Sequence, residues 1–259
     1  IIHFISRINT SENIFIILGS QPVNEVRTLI ESFSYIKENI PKWNIYDTTH
    51  LMNKYLLEDI LLDTKKLSEC IFEKSEGNPL YLTYIIKTLQ SQGITLKIIE
   101  TLPQYGFNLN SYYEYLTSLT DNNIVSVVLA CLDFSVTRVE LNQLIPFGFN
   151  FESNLKDLSP VIVENILRGG IRLYHDSFRR FNIEKFKTTA NINEIYGKIA
   201  EWLEKQDFYE NAKSYRHLLR YYIKIKEYEK IKKYASTDFL TKSLYNGYTE
   251  KTIKINYDN

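Results

Sequence analysis

Three stretches of the 259-residue sequence combine side chains that can do chemistry with a spacing that would let them. At Leu173-Tyr174-His175-Asp176 an imidazole stands directly before a helical pattern. Its N–H can donate to a phosphate oxygen, and the N-terminus of the following helix adds a favourable dipole. Asp176 is the expected cap of that helix, orienting backbone rather than touching an anion. The plainer alternative is a surface histidine beside a helix start. At Gly77-Asn78-Pro79-Leu80 the chain breaks inside a helical run. Glycine closes one helix and proline opens the next, which by itself is a helix–loop–helix turn. Lys213, Arg216, Arg220 and Lys224 recur at helical spacing, with Tyr215, Tyr221 and Tyr222 between them. Such a stripe can follow a nucleic-acid backbone, and it is also how the solvated face of an amphipathic helix reads. Glu227 and Glu229 dilute its field.

Other constellations are missing from the sequence. His3, His50, His175 and His217 are scattered, with no spacing that would hold a metal. There is no G-x-S-x-G nucleophile elbow, and neither Cys70 nor Cys131 lies near a histidine in sequence. There is no G-x-x-x-x-G-K-[ST], so no backbone cradle and no lysine for β- and γ-phosphates. No apolar strand ends in the paired acids that hold Mg²⁺. A catalytic site wholly within this sequence is not expected.

Bulk properties narrow the classes further. Lys and Arg number 31 and Asp and Glu 31, so the formal net charge is zero. That balance weighs against a protein that coats nucleic acid or a membrane. With 44% hydrophobic and 24% charged residues, a sizeable buried core is expected and disorder is excluded as the main state. Two cysteines exclude a disulfide scaffold and fit a reducing, cytoplasmic location. Only 9 Gly and 6 Pro leave little material for β-turns, which favours helices. No apolar run, residues 14–18 included, is long enough to span a bilayer. No targeting segment is visible, and the abrupt start on an amphipathic segment looks cut from something longer.

The chemistry-bearing residues need elements to hold them. Residues 1–8 read as a helix end, and 14–18 as a strand buried on both faces, ending at Gly19-Ser20-Gln21. A helix follows from Pro22, then an extended link through Pro41 and residues 43–46. From 49 to 93 the pattern is helical, broken at Gly77-Asn78-Pro79 and stopped at Gly93. Residues 102–110 read as a linker and candidate domain boundary. Short helices are expected at 112–119, at 124–132 capped by Asp121, and at 139–145 with a Thr137/Glu140 capping box. A further short element ends at Ser159-Pro160. Segments 161–167 and 171–174 flank Arg168-Gly169-Gly170, a β-hairpin signal. Three helices and a hairpin are the order of a winged helix. Residues 192–235 read as antiparallel helix pairs of the kind found in repeats of roughly 34 residues; beyond Asp238 the sequence is polar and uninformative. The fold class is therefore mainly α and multi-domain: 1–48 the edge of an α/β core, 49–106 a helical lid, 107–187 a winged helix, and 188–259 helical repeats.

Taken in that order, the chain resembles the C-terminal half of a STAND-type P-loop NTPase, including NB-ARC and related AAA+ modules, over roughly residues 10–190. The resemblance implies that Gly77, Asn78 and Pro79 form the G-x-P motif of the lid, with Pro79 against the adenine. It implies that His175 is the histidine of the winged-helix motif that contacts the β-phosphate of ADP. It also implies that residues 14–21 are the sensor-one strand and its end. Family members often place an arginine there, and this chain has Ser20 and Gln21, which offer only neutral hydrogen bonds. The cofactor implied is ATP/ADP, with Mg²⁺ held by parts outside this chain. The parent would be an ATPase, and this chain alone inactive.

The implied function is a signalling or defence switch, in bacteria often antiphage. ADP would clamp lid and winged helix, and exchange for ATP, prompted by a protein or other trigger on the C-terminal repeats, would allow homo-oligomerisation. The competing reading is a winged-helix and helical-repeat module that binds protein or DNA without nucleotide. Its candidate groove-facing segment, residues 151–158, carries two acids and one lysine, which ranks it second.

Overall fold

Scarce glycine and proline have the expected result. Among the described residues, fourteen α-helices accompany one two-stranded antiparallel sheet. The computed structural model describes residues 41–56, 64–106, 108–120, 122–145, 151–165, 167, 169–188, 191–234 and 236–258. The expected helix end at 1–8, the strand at 14–18, Ser20, Gln21 and the Asp121 cap lie outside them. The chain divides into Ile1–Pro41 and Lys42–Asn259, and these helices and the hairpin all belong to the second unit.

Helices α1 (Ile45–Leu56), α2 (Thr64–Ser75), α3 (Pro79–Gln92) and α4 (Leu96–Thr101) come first. Helix α1 starts earlier than the expected link through residue 46 allows. The reason is local: Asn44 Oδ1 accepts the N–H groups of Tyr46 and Asp47 at 2.8 and 3.1 Å, and Asp47 Oδ2 accepts the Asn44 N–H at 2.9 Å. This reciprocal cap satisfies donors that an extended link would leave to water. Residues 102–106 carry no helix, yet they are tied down. Leu102 is buried, the Tyr105 N–H donates to the Lys74 carbonyl at 3.0 Å, and Lys74 Nζ donates to the carbonyls of Glu100 and Leu102.

Next come α5 (Asn110–Leu119), α6 (Ile124–Cys131), α7 (Arg138–Leu144) and α8 (Phe151–Asp157), then a 3₁₀ turn (Ser159–Val161) and the hairpin β1 (Ile162–Asn165) and β2 (Gly170–Leu173). Thr137 and Glu140 form the expected capping box. In the hairpin Ile162 pairs with Leu173 and Asn165 with Gly170, and Val136 adds a bridge to Ile171. Helix α6 is buried on every side from Val125 to Cys131, with α8 and strand β2 among the elements packed on it.

Helices α9 (Asp176–Phe186) and α10 (Ile192–Glu204) both pack on α6, and α10 also lies against α11 (Ala212–Lys224). The chain then adds α12 (Tyr228–Lys232), α13 (Phe239–Tyr245) and α14 (Glu250–Tyr257). The last two were not legible in a polar tail. They dock through aromatic stacking: the Tyr215 and Tyr248 rings lie 3.6 Å apart and nearly parallel.

The C-terminal carbonyls of α6 have no intrahelical donors, and side chains from α9 and α11 supply them. Arg179 Nη1 donates to Ala130 O at 2.8 Å and Leu132 O at 2.5 Å. The Tyr221 hydroxyl donates to Cys131 O at 2.8 Å and accepts the Asp133 N–H at 3.0 Å. Tyr221→Phe leaves the Cys131 carbonyl buried without its donor, so a stability loss of about 1–3 kcal/mol is expected on urea denaturation. An unchanged midpoint would show that this hydroxyl does not tie α11 to α6.

Candidate functional site

The Gly77-Asn78-Pro79 turn is built by close backbone approach. Glu76 and Gly77 both adopt left-handed conformations, with φ of 49° and 69°. The Trp43 N–H donates to Gly77 O at 2.9 Å, and a Cβ on Gly77 would lie 2.0 Å from Trp43 O. Asn78 caps α3 by accepting the Tyr81 N–H at 2.9 Å, and its Nδ2 donates to the Tyr105 hydroxyl at 2.9 Å. Pro79 takes the first position of α3, where its missing N–H costs nothing, and its ring is partly exposed.

His175, not Asp176, is the N-cap of α9. Its backbone is extended, and Nδ1 accepts the Ser177 N–H at 3.1 Å, the position an Asn or Ser oxygen usually fills. Asp176 is thereby moved into the first helical turn. Its carboxylate faces Arg179 Nε at 3.4 Å and Arg180 Nε at 3.2 Å. The imidazole is half-buried, with Nδ1 also 2.7 Å from Ser177 Oγ.

From Ser177 the contacts continue to α3. Ser177 Oγ lies 2.6 Å from the Tyr113 hydroxyl, which lies 3.5 Å from that of Tyr84 on α3. The Tyr84 ring also meets Tyr174 edge-on at 6.1 Å, and Lys87 Nζ sits 4.1 Å above the Tyr174 ring while donating to Ile162 O. Burial lowers the pKa of Lys87 and pushes the Tyr84 and Tyr113 hydroxyls above the ordinary phenol value, so both stay protonated donors. The helix that Pro79 opens and the histidine before α9 thus share one bonded network. Tyr84, Tyr113 and Ser177 were not singled out in the sequence. Ser20 and Gln21 lie outside the described residues.

Two of the four cations of the basic stripe are committed to the fold. Lys213 pairs with Glu140 on α7 at 2.5 Å, and Lys224 pairs with Asp133 after α6. His217 lies between them, its ring 4.7 Å from that of Phe134. Burial, then the charge of Arg220, lowers its pKa to about 4, with Arg216 and Lys224 acting the same way and Asp133 opposing. The unfolded ring takes up a proton near 6.5 while the folded ring resists until about 4. Stability from the neutral ring is therefore complete above the upper value and drains as pH falls through that window. His217→Gln should flatten this part of the stability–pH profile measured by urea denaturation; identical slopes in both proteins would contradict the assignment.

Two clefts of about 180 and 330 Å³ lie elsewhere, one beside Arg216 and His217 and the other beside Arg138 and Glu164. Neither is lined by Pro79 or His175. Among the described residues no three His, Cys, Asp or Glu side chains group as a metal site, and no helix is long and apolar enough to cross a membrane. Compared with known proteins, the chain matches no family model, no curated protein and no solved structure.

Proposed function

We propose that this chain is the regulatory portion of a STAND-type nucleotide switch, with 49–106 as lid, 107–187 as winged helix and 188–259 as TPR-like sensor repeats. The observation that carries the reading is the bonded network joining the Pro79 helix to His175. In this family resemblance those are the residues assigned to adenine and phosphate. The chemistry fits. Pro79 is a partly exposed apolar ring that a base can meet, and His175, with Nδ1 filled, keeps one ring nitrogen for a phosphate oxygen. ADP or ATP, with Mg²⁺ held by other residues, would bridge the two; the nucleotide supplies the charge that the imidazole reads. A trigger on the helical repeats would loosen that bridge and permit oligomerisation in a signalling or defence response.

The competing DNA-binding reading has less free charge to draw on. Two cations of the stripe are paired, and on α8 Glu152 engages Arg138. Phosphates would have to displace these pairs. The test is nucleotide retention: full-length protein should purify with bound ADP, and His175→Ala should release it about 10- to 100-fold faster, the worth of one hydrogen bond to a charged group. Equal release rates would sink the nucleotide reading.

A further inference from the structure

We propose that Ser177 and Tyr113 are positioning residues that hold His175 as a fixed Nε2–H tautomer, so that it recognises only ligands presenting an acceptor oxygen. This deepens the nucleotide reading and rests on it for the identity of the ligand, though not for the tautomer.

The direction of donation decides the proton's place. The Ser177 N–H can only donate, and it points at Nδ1 at 3.1 Å, so Nδ1 carries a lone pair and the neutral ring carries its proton on Nε2. The Ser177 hydroxyl, 2.7 Å from the same nitrogen, must then also donate to it. Its oxygen is left free to accept from Tyr113, 2.6 Å away. Tyr113 in turn can accept from Tyr84, at the long distance of 3.5 Å. All the donations run toward His175. A hydroxyl that accepts a hydrogen bond donates a stronger one, so the chain polarises toward the imidazole.

Packing holds the relay still. Tyr84 and Tyr113 are buried, and Tyr113 lies edge-on to Phe178 at 5.1 Å, with Phe178 itself fully buried in the first turn of α9. The imidazole is thereby oriented at Nδ1 by the backbone and hydroxyl of Ser177, and Tyr113 acts on it only through that hydroxyl. Nε2–H has no lone pair to offer, so this histidine neither ligates a metal nor abstracts a proton in this arrangement. What it can bind is an oxygen bearing lone pairs, and an anionic one best. A phosphoryl oxygen meets that requirement.

The experiment reads the tautomer directly. Long-range ¹⁵N–¹H correlation of ¹⁵N-labelled full-length protein should show His175 with an unprotonated Nδ1 and a protonated Nε2. Ser177→Ala removes the hydroxyl donor to Nδ1 but keeps the backbone one, so it should leave the fold intact and shift the pattern part of the way toward exchange between tautomers, Tyr113→Phe should do so to a smaller extent, and Ser177→Thr should restore the original pattern. ADP release should quicken about two- to fivefold in the alanine variant and return with threonine, the size expected of one neutral hydrogen bond. A wild-type ring protonated on Nδ1, or averaged between tautomers, overturns the proposal. So does a Ser177→Ala protein with unchanged pattern and unchanged release. If the pattern responds as stated while no variant alters ADP release, the positioning role stands and the nucleotide reading falls.

Discussion

Gly77→Ala should cost the protein about 4 kcal/mol or more, while Gly247→Ala costs about 1 kcal/mol. The two glycines share nearly the same backbone, with φ of 69° and 74°, so the left-handed penalty of an added Cβ is common to both. They differ in what the Cβ meets. At Gly247 nothing lies within 4 Å, whereas at Gly77 the Trp43 carbonyl oxygen would lie 2.0 Å away. No rotamer relieves a clash with backbone, so the segment at residue 43 must move. That movement breaks the 2.9 Å bond from the Trp43 N–H to Gly77 O and loosens the start of α1 against α3. Urea denaturation with an unchanged slope would measure the difference. Equal losses would show that the close approach does not constrain the turn. Within the motif, Gly77 serves the close approach of a neighbouring segment of chain.

What the sequence made legible was local. The Thr137/Glu140 cap, the start of α3 at Pro79 and the hairpin around Gly169-Gly170 are set by residues within a few positions of one another, and all are present. The same logic failed where two local solutions competed. Asn44 and Asp47 were available as a reciprocal cap, but Pro41 suggested an extended link. Asp176 is a better cap by type than His175, yet the imidazole takes the position, accepting the Ser177 N–H while Asp176 turns to Arg179 and Arg180. Long-range pairings were out of reach altogether. Tyr84 meets Tyr113 across 29 residues, and Lys213 meets Glu140 across 73. Helical periodicity says which face such a residue occupies, not what waits on the other side. This is why the pairing of Lys213 with Glu140 and of Lys224 with Asp133, which ties two members of the basic stripe to earlier segments, could not be read from spacing. It is also why the tyrosine cluster that orients His175 was invisible as a cluster.

The largest effect on function is expected at His175, and substitutions can divide its two nitrogens. Asparagine places an oxygen near the position of Nδ1, where it can accept the Ser177 N–H and cap α9 at least as well as histidine does. It has nothing at the position of Nε2. Glutamine reaches the Nε2 position with an N–H donor but forfeits the cap, at about 1 kcal/mol of stability. A structural histidine would therefore tolerate asparagine and suffer from glutamine, and a phosphate-reading histidine would do the reverse. The direct measurement is the rate at which ADP leaves the full-length protein in the His175→Asn and His175→Gln forms. The asparagine protein is expected to keep wild-type stability and release ADP about 10- to 100-fold faster, while the glutamine protein is less stable and retains much of its ADP. An asparagine protein that holds ADP as tightly as the wild type would contradict a phosphate-reading His175.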